Sequence, residues 1–127
     1  RQVVTTGHWS APPGASFTRA CKASGAVTGK TLVKLAPGGA DQCPVVTTAA
    51  AGELAYGVAG WDVKDGEKLT VYRRGVLSIT AGAALKAGDQ VEVGASGKAV
   101  KAATGKPVGQ VHADATNGAD AAVAVNF

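Results

Sequence analysis

The sequence predicts an all-β protein: a small β-barrel or sandwich-like body of short strands, residues 30–127, with an extended basic N-terminal arm, residues 1–29. Three observations predict it. Val supplies 17 of the 26 Leu, Ile, Val and Phe residues, and a β-branched side chain suits a pleated, half-buried surface better than a helix. From Lys30 onward, short apolar runs recur between Gly, Asp and Asn at the spacing of a small barrel or sandwich. Ahead of Lys30 no period of about 2.0 or 3.6 is sustained, and Pro12-Pro13 and scattered Gly punctuate the chain.

At 127 residues the chain fits one domain, or one domain plus an arm. Its 26 Ala and 18 Gly leave 44 positions with one methyl or none, so the core is expected to be thin and to draw part of its stability from neighbouring subunits. No apolar run approaches the roughly 18 residues that span a bilayer, and no basic-then-apolar signal opens the chain, so no membrane partner is expected. With Arg1 first and no Met, the chain is expected to have lost at least its initiator.

On the arm, a solvated segment gains nothing from Trp9 and Phe17, so each either folds back on the body or anchors to another subunit. The body's predicted strands are 31–35, 45–48, 54–63, 68–72, 76–79, 90–93, 99–102, 108–113 and 121–125; a short helical stretch at 81–85 ends before Gly88. A three-residue loop of Lys64, Asp65 and Gly66, with Gly66 in the left-handed position of a bulged turn, sets Asp62 opposite Lys68 and Trp61 opposite Leu69. Trp61, Val63, Leu69 and Val71 then share one core face, which a two-residue loop would spoil. The punctuation recurs 52 residues on, where Gly57, Asp62, Asp65, Gly66 and Val71 match Gly109, Asp114, Asn117, Gly118 and Val123. Two related hairpins of one barrel are expected, the Ala-rich second burying less than the first. Val123, Val125 and Phe127 alternate to the last residue, so the C-terminus is expected to be a paired strand.

The net charge of +4 divides unevenly. Residues 1–40 hold Arg1, Arg19, Lys22, Lys30 and Lys34 and no acid, whereas residues 41–127 hold eight bases and nine acids. Five spaced charges are too sparse for a nucleic-acid stripe, so an acidic protein surface is the expected counterpart and direct nucleic-acid binding is not. Tyr72-Arg73-Arg74-Gly75 reads as a hairpin turn between Val71 and Val76, whose Arg forks can meet carboxylates of a neighbouring subunit. Thr28-Gly29-Lys30-Thr31 ends like a phosphate-binding loop, but Ser24 stands where the first glycine is required and a strand follows where a helix is needed. Cys21 and Cys43 permit one disulfide but form no CxxC and have no His at zinc spacing, so two free thiols are expected ahead of a bonded pair, and no metal. His8 and His112 stand in no catalytic string, and Asp62, Asp65, Glu67, Asp89 and Glu92 read as turn and strand-surface acids. No enzymatic activity and no cofactor are expected.

Over residues 27–127 a series of short strings follows in order: Ala55-Tyr-Gly-Val-Ala-Gly60, Arg74-Gly-Val, Ala81-Gly-Ala-Ala-Leu-Lys-Ala-Gly-Asp-Gln-Val, Gly97-Lys-Ala-Val, Thr104-Gly-Lys-Pro-Val-Gly-Gln-Val, then Ala-Thr-Asn-Gly and Val-Ala-Val. In that order and spacing the body resembles the head-decoration, or capsid cement, proteins of tailed bacteriophages. The resemblance implies a structural protein made in the host bacterial cytoplasm and carried on the outer surface of the virion capsid. Its body would be barrel-like and commonly trimeric, would bind the major capsid protein, and would bring no catalytic residues. On this reading the protein stabilises the assembled head by bridging capsid subunits, with the arm of residues 1–29 as the main capsid or intersubunit contact, through Trp9, Phe17, Arg19 and Lys22, and with Arg73 and Arg74 as further expected contacts. The alternative is a surface or secreted β-domain that binds a carbohydrate or host receptor through Trp61 and Tyr72. The hairpin register, which places Trp61 in the core, speaks against it.

Overall fold

The computed structural model describes residues 18–40, 43–103 and 105–127. They form ten strands: β1 (Thr18–Ala23), β2 (Leu32–Ala40), β3 (Cys43–Thr48), β4 (Gly57–Ala59), β5 (Lys68–Tyr72), β6 (Arg74–Thr80), β7 (Gln90–Val93), β8 (Ala99–Lys101), β9 (Gly109–Val111) and β10 (Asp120–Asn126). The protein is all-β, as the valine content predicts. The helical stretch expected at 81–85 does not form. Ala81 and Leu85 are bridge residues, paired with Ala99 and Ala115, and these tertiary main-chain bonds override the helix propensity of alanine.

Strands β1 to β5 close a barrel in the order β1-β3-β2-β4-β5, with β1 antiparallel to β5 and parallel to β3. Strands β6 to β10 form a five-stranded sheet in the matching order β6-β10-β9-β7-β8; its ends meet only through the isolated parallel Ala81–Ala99 bridge, where Ala23 pairs with Val46 in the first half, and this barrel-like sheet is called the second barrel below. The registers coincide. Cys21 faces Leu69 as Ile79 faces Ala121, Leu32 faces Val58 as Gln90 faces Gln110, and Ala59 faces Val71 as Val111 faces Val123. Turns coincide as well: Gly29 N donates to Asp62 Oδ1 at 2.7 Å, and Ala87 N donates to Asp114 Oδ1 at 2.8 Å. The 52-residue match is therefore half of a repeat of the strand order and register, and the expectation of two hairpins within one barrel is corrected: one hairpin belongs to the closed barrel and the other to the second, barrel-like sheet.

The two cores are built from equivalent positions, and the Ala-rich hairpin is the less buried of the two, as expected: where the first buries Val58, Val63 and Leu69, the second has exposed Gln110, partly buried Ala115 and the small Ala121. Val46, Val63 and Leu69 shrink to Ala99, Ala115 and Ala121, while Cys21, Val27 and Ala59 grow to Ile79, Leu85 and Val111. Moving methyl groups among facing positions keeps an interior close-packed. Leu32, Ala49, Ala55 and Val58 of the first barrel join the core of the second. Lys30 ties the barrels at their edge, through an ion pair with Asp120 at 2.7 Å and a carbonyl that accepts from Thr80 N at 2.8 Å.

The hairpin register survives, and its extent does not. Val58 lies opposite Tyr72 and Ala59 opposite Val71, in the same register that would set Trp61 against Leu69. Pairing stops at Gly60, whose N–H donates to Thr70 O at 2.9 Å. The chain then swings to β1's side, Val63 pairs with Val27, and Trp61 is left 48% exposed rather than in the core. Gly66 takes the left-handed position expected of it, at φ +82°.

The arm boundary at residue 29 moves too. Residues 18–23 form a barrel strand in which Cys21 and Ala23 are buried while Ala20 and Lys22 are exposed. Small residues on the inner face flatten the hydropathy alternation, which is why the segment reads as aperiodic. Trp9 and Phe17 lie outside the described residues.

Candidate functional site

One end of the first barrel departs from its counterpart. The repeat sets Arg19, Leu35, Tyr56 and Arg73 against Leu77, Val93, Val108 and Val125. In the second barrel these form an apolar plug: Val93, Val108 and Val125 are 1%, 8% and 5% exposed, and Leu77 packs against the same cluster. The loop between β3 and β4 seals that plug, with Ala49 and Ala55 in the cluster and Gly52 N donating to Val93 O at 2.9 Å. No equivalent loop covers the first barrel's end among the described residues. Leu35 is 55% exposed there, and Leu54 at the rim is 66% exposed.

Arg73 organises this surface. It is the single residue between β5 and β6, which do not pair with each other: β5 pairs with β1 and β4, and β6 with β10. The hairpin turn expected at residues 72–75 is thus the passage from one barrel to the next. The Arg73 guanidinium carbon lies 4.1 Å from the Tyr56 ring centroid, and its Nε donates to Tyr56 O at 3.1 Å. Two concavities, of about 400 and 390 Å³, adjoin at Leu35 and Tyr56. Arg73 and the Lys34–Glu53 ion pair, 2.7 Å long, line the first, and Arg19, Pro44 and Val45 line the second. The hydrogen bond from Lys34, with one from Ala50 N, holds the Glu53 carboxyl below its usual range. Among the described residues of the first concavity, Arg73 is the cation beyond the Lys34–Glu53 pair, and with the aliphatic and aromatic floor it favours a partner with carboxylates and apolar side chains.

Of the residues expected from sequence, Arg19 and Arg73 come together here. Lys22 lines a different concavity with Asp65, Lys68 and Cys43, and Arg74 is exposed at the start of β6 opposite Asn126. Leu35, Leu54 and Tyr56 are not singled out by the sequence because strands drawn over 31–35 and 54–63 place them in ladders. Their signal is the repeat, which sets Leu35 and Tyr56 beside Val93 and Val108.

Elsewhere the chemistry is structural. Thr28–Thr31 is the turn into β2: Thr31 Oγ1 donates to Thr28 O at 2.6 Å and Lys30 is paired with Asp120. Cys21 and Cys43 are free thiols, and burial pushes the Cys21 thiol up to about 11, with the Cys43 sulfur adding to the shift. Such a thiol is no nucleophile at neutral pH. Among the described residues no group of three or more His, Cys, Asp or Glu could hold a metal ion, and no helix is long and apolar enough to cross a membrane.

Among solved structures, the chain is similar to the head fiber gp8.5 N base of bacteriophage phi29, with a TM-score of 0.73 and 23% identity over 85% of this chain and 92% of that one. At that identity the likeness speaks for the fold. No curated protein matches the chain. A family model described as phage cement protein matches residues 11–127, nearly the whole sequence. The closed barrel and its repeated second sheet are thus the body of a capsid-associated structural protein, and the chain belongs to the phage cement protein family.

Proposed function

We propose that the protein decorates the outer surface of the assembled phage head and stabilises it by bridging neighbouring subunits of the major capsid protein. The observation that carries this reading is the contrast between the barrel ends: Val93, Val108 and Val125 are sealed in one, while in the other Leu35 is exposed and, with the partly buried Tyr56 and Arg73, lines an open concavity. Aromatic and arginine side chains around an aliphatic centre are the composition of protein interfaces. Arg19 acts with Arg73 at this contact. Trp9, Phe17, Lys22 and Arg74 extend it to a second subunit, and copies associate as homotrimers. Many modest contacts repeated over one shell sum through multivalency. The role needs no catalysis, cofactor, nucleic acid or membrane.

Heads assembled without the protein and then mixed with the full chain test the reading. Saturable uptake with slower heat-induced rupture is expected. Absence of uptake would refute decoration, and uptake without added head stability would refute bridging.

One observation favours a second reading, a carbohydrate or receptor-binding domain: Trp61 is half exposed, next to Gly60, on which the Tyr72 ring packs so closely that a Cβ there would come within 2.9 Å. Quenching of Trp61 fluorescence by host surface oligosaccharides would support it; unchanged emission at millimolar sugar would remove it.

A further inference from the structure

The geometry points to a mode of docking: the outward edge of β2 at Leu35 pairs, main chain to main chain, with an extended, carboxylate-bearing segment of the capsid subunit. The inference rests on the capsid-docking reading above and specifies the contact.

β2 runs alongside β3 as far as Ala40, but alongside β4 only at Leu32 and Val33. Ala49 N donates to Leu32 O, so residues 32 and 34 turn their main-chain groups toward β3, and residues 33 and 35 turn theirs the other way. At Val33 that side is filled, because Tyr56 N donates to Val33 O at 2.7 Å. At Leu35 β4 has already ended, and among the described residues nothing pairs with its main chain on that side. The second barrel displays the occupied version of the same place. There Val93, the counterpart of Leu35, receives Gly52 N on its carbonyl at 2.9 Å, and the inserted loop brings Ala49 and Ala55 onto the apolar plug. An open strand edge flanked by side-chain pockets is the template for strand addition. Pro37 and the register shift between Ala36 and Ala40 limit the addition to the few residues around Leu35.

Charge selects the occupant. Among the described residues the first concavity is lined by Lys34 and Arg73 with Glu53; Lys34 and Glu53 pair with each other and Arg73 lies over Tyr56, so the surplus charge is positive and the segment should bring a carboxylate. Residues 1–17 of this chain hold Arg1 and no acid, and cannot supply it. A second copy stacked so as to extend the repeat would present Gln90 and Gln110 where Leu32 and Val58 are buried, an exposed and uncharged pair that offers neither plug nor carboxylate.

The test uses the full chain, heads assembled without it, and amide hydrogen exchange. The Leu35 amide is expected to exchange freely in the unbound protein and at least about tenfold more slowly on heads. Leu35→Ala removes only the side chain, whereas Leu35→Pro also removes the outward N–H without touching the β3 ladder. Leu35→Pro should therefore bind heads about tenfold more weakly than Leu35→Ala, at the same melting temperature. If wild type occupies heads while its Leu35 amide stays unprotected, strand pairing is wrong and decoration stands; if wild type does not occupy heads, both fall. Protection already present in unbound protein overturns the inference as well: lost on deletion of residues 1–17, it identifies the arm as occupant, and rising with concentration, it identifies a second copy.

Discussion

Arg73 clamps Tyr56 twice, with its guanidinium carbon 4.1 Å from the ring centroid and its Nε bonded to the Tyr56 carbonyl at 3.1 Å. Its own carbonyl accepts from Phe127 N at 2.8 Å, so the link between the barrels, the C-terminus and the open end meet at one residue. Arg73→Lys keeps the charge but loses the planar stack and the Nε donor. It should cost about 1 to 2 kcal/mol in denaturant unfolding, from a cation–π contact of about 0.5–1 and a hydrogen bond of about 0.5–1.5. Arg73→Glu should in addition abolish head occupancy. Full occupancy by the Glu variant would remove this end from the interface.

The exchange of core volume between the barrels predicts coupling. Leu69→Ala should cost about 2–5 kcal/mol, and Cys21→Ile alone about 1–3 through overpacking. Because Cys21 faces Leu69 as Ile79 faces Ala121, the double variant should be less destabilised than the sum, by more than about 0.5 kcal/mol in a double-mutant cycle. Strict additivity in urea melts would mean that the two positions do not share one space.

Lys30, at φ +62°, occupies the left-handed position that Gly88 holds at φ +91° in the second barrel. The conformation costs a non-glycine residue about 1–2 kcal/mol, and the half-exposed ion pair with Asp120 returns about 0–1. Lys30→Gly should therefore leave stability within about 1 kcal/mol of wild type or raise it. Gly88→Lys should lower it by about 1 kcal/mol, read from the same unfolding curves.

Cys21 carries an alkaline signature. Its thiol is raised from 9.0 to about 11 in the folded protein, chiefly by burial, so the unfolded chain gives up the proton first as pH rises. That contribution to stability is whole below pH 9 and is lost progressively toward pH 11. Cys21→Ala should flatten the decline, and a disulfide reagent at pH 8 should label Cys43, which is partly exposed, and spare Cys21. Rapid labelling of both thiols would contradict the burial.

Where alternation is strong, the sequence placed elements well: Leu69 and Val71 mark β5 and Val91 and Val93 mark β7 at the bounds found. It failed where small residues line the core, as at Cys21 and Ala23 of β1. It also failed where a ladder stops without a break in parity, as at Gly60, which sent Trp61 to the surface. Asp62 and Asp114 exposed half of the repeat because each caps an equivalent main-chain N–H. The other half was hidden by a drifting offset, 58 residues from Cys21 to Ile79 and 52 from Leu69 to Ala121. The candidate site shared that fate, since Leu35, Tyr56 and Arg73 come from three separate segments.

The decisive experiment is an electron-microscopic reconstruction of heads decorated with the full chain, at a resolution that separates the strands. Leu35, Tyr56 and Arg73 of the first barrel should lie against a capsid subunit, with Gln90 and Gln110 of the second barrel facing solvent. The open end of the first barrel directed away from the shell, with the second barrel on the capsid, would contradict this placement.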